Sequence, residues 1–99
     1  MNEQEHLLTI LGEECAEVAQ RVSKALRFGL SEIQPGQDED NKRRIERELA
    51  DLIATSELLG LQVREEDKEG KREKIEKFMG YARDLGTLHD SNESGQPKS

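Results

Sequence analysis

The chain has 99 residues, 37% of them charged and 32% hydrophobic, with a net charge of −7 and only 3% aromatic. That length fits one small domain with a thin core, so self-association is the expected route to further burial. The acidic balance argues against a nucleic-acid backbone as main partner, the acidic start MNEQEH does not read as a secretory leader, and no stretch offers the roughly 20 apolar residues of a membrane span.

Apolar residues recur at spacings of three and four, which predicts an all-α protein. A first helix is expected from Glu3 to Phe28, with Leu7, Ile10, Leu11, Val18, Val22, Ala25 and Phe28 on one stripe and Gly29 as its stop. GLSEIQPGQDED then reads as a loop, in which Pro35-Gly36 is a turn signal and the acidic run Asp38 to Asp40 can cap the next helix. A second helix is expected from Asn41 to Leu59, carrying Ile45, Leu49, Leu52, Ile53 and Leu59, with Gly60 behind it. After the charged stretch REEDKEGKRE, a third helix from Lys68 or Lys71 to Leu85 presents Ile75, Phe78, Met79, Ala82 and Leu85, with Phe78 and Met79 expected in the core. The helical domain thus covers residues 1–88, and the tail 89–99 has no apolar periodicity and is expected to be disordered. Cys15 has no partner for an intrachain disulfide, which suits a reducing, cytoplasmic setting.

Four acids break the apolar pattern. Glu14 and Glu17 in LGEECAEVAQ, and Glu48 and Asp51 in IERELADLIA, form two pairs spaced three apart, so each pair shares a helix face. At about 100° per residue, Leu7 and Ala25 fall about 20° from Glu14, and Leu59 and Leu52 fall about 20° and 40° from Glu48. Both pairs therefore lie on the border of an apolar stripe, where a carboxylate is costly without a cation. An antiparallel hairpin brings the two borders together as a metal site of Glu14, Glu17, Glu48 and Asp51, for Mg²⁺ first and Mn²⁺ next, since oxygen is the sole donor type. Glu13 reaches the rim as a further ligand or a base for water. Sixteen glutamates produce some such pairs by chance, but two pairs on matching borders are harder to obtain that way. A di-iron bundle needs two Glu-x-x-His helices, and only Glu3 and His6 fit.

With EECAE followed by RELAD, the sequence resembles the MazG-like nucleoside triphosphate pyrophosphohydrolases of the all-α NTP pyrophosphatase superfamily, over about residues 7 to 85. The resemblance implies metal ligation by Glu14, Glu17, Glu48 and Asp51, with Glu13 matching a glutamate that often precedes the first pair. It implies hydrolysis of an NTP or dNTP between the α and β phosphates, and assembly as a homodimer or homotetramer of four-helix-bundle type. Arg47 departs from the pattern, standing where many relatives have another acid. Phosphoribosyl-ATP pyrophosphohydrolases and dimeric dUTPases, the other branches, match less well in length.

On this reading Mg²⁺ neutralises the triphosphate while Glu13 or Glu17 serves the attacking water as catalytic carboxylate. Cationic donors for the phosphates are sought in Lys71 and Lys74 of the third helix and in Arg21 and Lys24 of the first. No Walker-type loop is present. Phe28 and Tyr81 are the candidates for stacking on a base. A reading from another class, a non-catalytic acidic helical protein that binds a basic partner, would leave its carboxylates dispersed and indifferent to Mg²⁺.

Overall fold

The computed structural model describes residues 1–89, which form three α-helices and no strand. They are α1 (Glu3–Phe28), α2 (Asn41–Leu58) and α3 (Glu65–Leu85). The chain divides into two compact units, Met1–Leu61 and a second beginning at Gln62. Apart from His89, the predicted disordered tail lies outside the described residues.

Local chemistry sets the helix ends. Asn2 starts α1 with a reciprocal capping box: its Oδ1 accepts from the Glu5 amide at 2.8 Å, and its own amide donates to Glu5 Oε1 at 3.2 Å. α1 then runs to Phe28, as the periodicity predicts, and stops at Gly29. Asp40 is the member of the acidic run that caps α2, accepting from the Arg43 amide at 2.9 Å. α2 ends one residue before the predicted Leu59, because Gly60 at φ 76° lets the amides of Gly60 and Leu61 turn back onto the carbonyls of Glu57 and Ser56. α3 begins at Glu65, earlier than predicted. Gly70 does not delay it, since Lys68 pairs with Glu65 at 2.8 Å while Arg72 reaches Glu65 at 3.2 Å and Glu69 at 2.8 Å across the first turns.

In the first unit α1 and α2 pack as an antiparallel hairpin. The start of α1 (Glu3, Gln4, Leu7) meets the end of α2 (Leu58, Leu59), and at the opposite end Asn41 fastens α2 to the end of α1. Asn41 is 2% exposed. Its Nδ2 donates to Gly29 O at 2.8 Å and to Glu32 Oε1 at 3.1 Å, and its amide donates to Glu32 O at 2.9 Å. The Lys42 amide adds a bond to Leu30 O at 2.9 Å. Glu39 secures the loop from the other side through a two-point bond with Arg47, at 2.6 and 3.0 Å. That bond, with the nearby charges of Arg47 and Arg43, holds the Glu39 carboxyl below its ordinary range.

The hairpin seam is thin. Ala25 is the one buried hydrophobic residue among the described residues, while Leu7, Ile10, Leu11, Val18, Ile45 and Leu52 are half-buried. Val22, Phe28, Leu49 and Ile53 from the predicted stripes stay exposed. In the second unit no residue of α3 is buried, and Phe78, expected in the core, is 62% exposed, with Met79 also exposed. The reason is geometric: a unit with one helix has no second face of its own to cover an apolar stripe.

The clasp at Asn41 yields a stability prediction. Asn41→Ala removes the donor to Gly29 O and Glu32 Oε1 and leaves part-buried acceptors unmatched, so unfolding free energy should fall by about 1–3 kcal/mol. Urea titration followed by circular dichroism measures this, and an unchanged midpoint would show that the clasp contributes nothing to the hairpin.

Candidate metal centre

The acids sit in the seam because the hairpin register puts them there. With Leu7 beside Leu58 and Leu59 at one end and Gly29 beside Asn41 at the other, the middle of α1 faces the middle of α2. One carboxylate oxygen each from Glu14, Glu17 and Glu48 lies within 4.8 Å of the other two. Oxygens on opposite sides of an octahedral Mg²⁺ stand roughly 4.2 Å apart, so only small side-chain movements separate this arrangement from a coordination shell. The donor set of carboxylate oxygens without thiolate or imidazole suits Mg²⁺ or Mn²⁺.

Two of the oxygens are buried with no hydrogen-bond partner: Glu14 Oε2 and Glu48 Oε2. Burial raises the Glu14 carboxyl above its ordinary value of 4.5, and the charges of Glu17, Asp51 and Glu13 raise it further. Glu48 is raised too, first by burial, then by a hydrogen bond with Glu17 that a protonated Glu48 can donate, and by the charges of Glu17, Asp51 and Glu14. Arg21, one turn beyond Glu17, brings its Nε to 3.8 Å from Glu48 Oε1. One guanidinium against three carboxylates leaves the cluster with a residual charge of −2.

Of the four predicted ligands the structure thus brings together Glu14, Glu17 and Glu48. Asp51 stands outside this tight group, is exposed, and acts on Glu14 and Glu48 through its charge. Glu13 is exposed and contributes its charge at Glu14. Among the predicted phosphate donors, Arg21 is engaged with Glu48 and Lys24 is half-buried one turn further along α1. Lys71 and Lys74 belong to the second unit, where they line an open groove with Ile75, Phe78, Met79 and Leu88. Phe28 is half exposed under the Arg27 guanidinium, which sits 5.0 Å from its ring centre, and Tyr81 is exposed.

Three interactions that anchor the loop and α2 are not legible in the sequence. Asn41 looks like a helix-start residue, and only the return of the loop shows that it binds the end of α1. Arg47, the departure from the acidic motif, is explained by its partner Glu39, eight residues earlier in the loop. Gln34 accepts from Arg44 Nη1 at 3.1 Å, which fixes its amide and leaves its buried Nε2 without a partner.

No family model matches the chain, and no match is found among curated proteins or solved structures.

The raised carboxyls make stability depend on pH with a defined sign. Between 4.5 and their raised values the folded chain holds protons that the unfolded chain has released, so stability is full below 4.5 and declines as pH rises through the raised values. Glu39, held below 4.5, acts in the opposite sense and in a lower window, losing its contribution as pH falls. The metal-free protein should therefore show a melting temperature that drops as pH rises above 4.5, and Glu48→Gln should flatten that slope. A parallel slope in the variant would separate Glu48 from the effect.

Proposed function

We propose that the chain is a Mg²⁺-dependent nucleoside triphosphate pyrophosphohydrolase, cleaving an NTP or dNTP between the α and β phosphates to give the monophosphate and pyrophosphate. The observation that supports this reading best is the group of three seam carboxylates with two buried, unpartnered oxygens. Like charges held this close, with Glu17 exposed but one oxygen each of Glu14 and Glu48 buried without a partner, are favourably offset by a cation. The resemblance of the EECAE and RELAD motifs, to which these carboxylates belong, to the MazG-like pyrophosphohydrolases points that cation toward a triphosphate.

Glu14, Glu17 and Glu48 would hold the ion, with Asp51 adding negative charge beside them. When bound, Mg²⁺ supplies charge neutralisation at the triphosphate and makes water a better nucleophile. The chain's own part in the reaction is positioning and proton transfer. Glu13, exposed at the rim, or Glu17 in the cluster accepts the proton of the attacking water. The oxygen of that water bonds to the α phosphorus, the bond from that phosphorus to the bridging oxygen breaks, and pyrophosphate leaves. Arg21 and Lys24 follow the acids along α1 and provide positive charge for the phosphates.

The exposed apolar residues of the hairpin, among them Leu8, Val22, Leu26, Leu49 and Ile53, supply the surface for a homodimer or homotetramer in which paired hairpins form a four-helix bundle. A cytoplasmic setting fits the exposed, unpaired Cys15. No helix among the described residues is long and apolar enough to cross a membrane.

Incubation with a panel of NTPs and dNTPs and Mg²⁺ should release pyrophosphate and the monophosphate in equal amounts. Orthophosphate as first product would overturn α–β cleavage. Glu48→Gln should lower turnover by about 100-fold or more, the scale of losing one charged group at a reacting centre, while circular dichroism stays helical. An active Glu48→Gln variant removes Glu48 from the centre.

A further inference from the structure

Arg21 invites a question that phosphate binding does not answer, because its guanidinium is already turned toward a carboxylate of the cluster. Its side chain is 25% exposed and that of Glu48 is 15% exposed, so the pair is partly withdrawn from water, where charge interactions are less screened. The contact is an ion pair and not a close hydrogen bond, since Nε stands 3.8 Å from Glu48 Oε1. Arg21 follows Glu14 by two turns and Glu17 by one, so all three share a face of α1. A divalent ion held by Glu48 would therefore lie within a few ångströms of a fixed positive charge.

We propose that Arg21 is a resident counter-ion: it balances Glu48 in the metal-free protein and thereby weakens the hold of the cluster on a divalent cation. The inference rests on the metal-site reading above and concerns a different property, the affinity of that site. In the metal-free state the positive charge of Arg21 offsets one carboxylate and favours the closed seam. In the loaded state the same charge opposes the ion, so Arg21 must draw back from Glu48. Its removal thus acts in opposite directions on the two states, which a purely structural salt bridge does not do. With Arg21 in place the loaded cluster carries one negative charge fewer than without it, and so repels a polyphosphate less.

The test uses the full-length protein and Mn²⁺ alone, titrated by calorimetry without nucleotide. Arg21→Gln should bind Mn²⁺ about threefold or more tightly than wild type, the scale of one partly exposed charge pair. Its metal-free form should melt at a lower temperature, and Arg21→Lys should resemble wild type in both respects. Unchanged or weaker Mn²⁺ binding by a folded Arg21→Gln variant overturns the proposal while leaving the metal site standing. A wild type that does not bind Mn²⁺ overturns both. A second measurement does not depend on the variant folding: in wild type the Arg21 Nε–H nuclear magnetic resonance signal should shift as Mg²⁺ is added, and a signal that stays fixed while Mg²⁺ binds rules out the exchange.

Discussion

The clasp between Asn41 and the end of α1 is the constraint on which the rest of the hairpin depends. Two helices joined by a loop can slide past one another at little cost when the seam between them is thin, because no large side chain is locked into a deep hole. Here the side-chain amide of Asn41 reaches Gly29 and Glu32 at once, and the backbone of Asn41 and Lys42 repeats the link. A shift of one residue would break these bonds together. It would also rotate Glu48 by about 100° relative to α1 and carry its carboxylate away from Glu14 and Glu17. Register at the loop therefore determines geometry at the cluster, even though Asn41 and Glu48 are separated by almost two turns of α2.

Core and site occupy one seam and compete for it. Glu14 lies among Leu7, Ile10, Leu11 and Val18 on α1, and Glu48 lies between Ile45 and Leu52 on α2. Each of these acids takes a place where an aliphatic side chain would bury area and add stability. With a single buried hydrophobic residue among those described, the hairpin has little reserve against that loss. Occupation of the cluster by a cation would relieve the repulsion while cross-linking the two helices, so binding and folding are coupled through the same few atoms.

Much of this was legible in the periodicity. The stripe that predicts α1 from Glu3 to Phe28 matches the helix residue for residue, and its wheel places Glu14 inside the apolar arc, where it is half-buried. Asp51 is the instructive exception. Spacing puts it with Glu48 on one face, but about 60° further from Leu52 and Ile45, and that distance from the seam leaves it exposed. Burial of Phe78 and Met79 did not follow from their spacing, because a stripe specifies which face is apolar and not whether anything covers it. Side-chain bonds that join separate stretches, Asn41 to Gly29 and Arg47 to Glu39, leave no periodic trace. They depend on how a twelve-residue loop returns, which is tertiary information.

The end of α3 shows a different kind of security. The amides of Thr87 and Leu88 and the Thr87 hydroxyl all converge on the carbonyl of Ala82, while the Gly86 amide bonds to Arg83 O. Nearly all of that turn is main chain bonded to main chain, so the identities of the side chains scarcely enter into it. The exceptions are the Thr87 hydroxyl and Gly86, whose φ of 81° suits glycine, although a Cβ there would meet nothing within 4 Å. Substitutions elsewhere in this stretch leave its main-chain bonds in place, provided that Gly86 stays bare and Thr87 keeps its hydroxyl. Evolution is thus free to rewrite the groove beneath Leu88 while the turn that frames it keeps its shape.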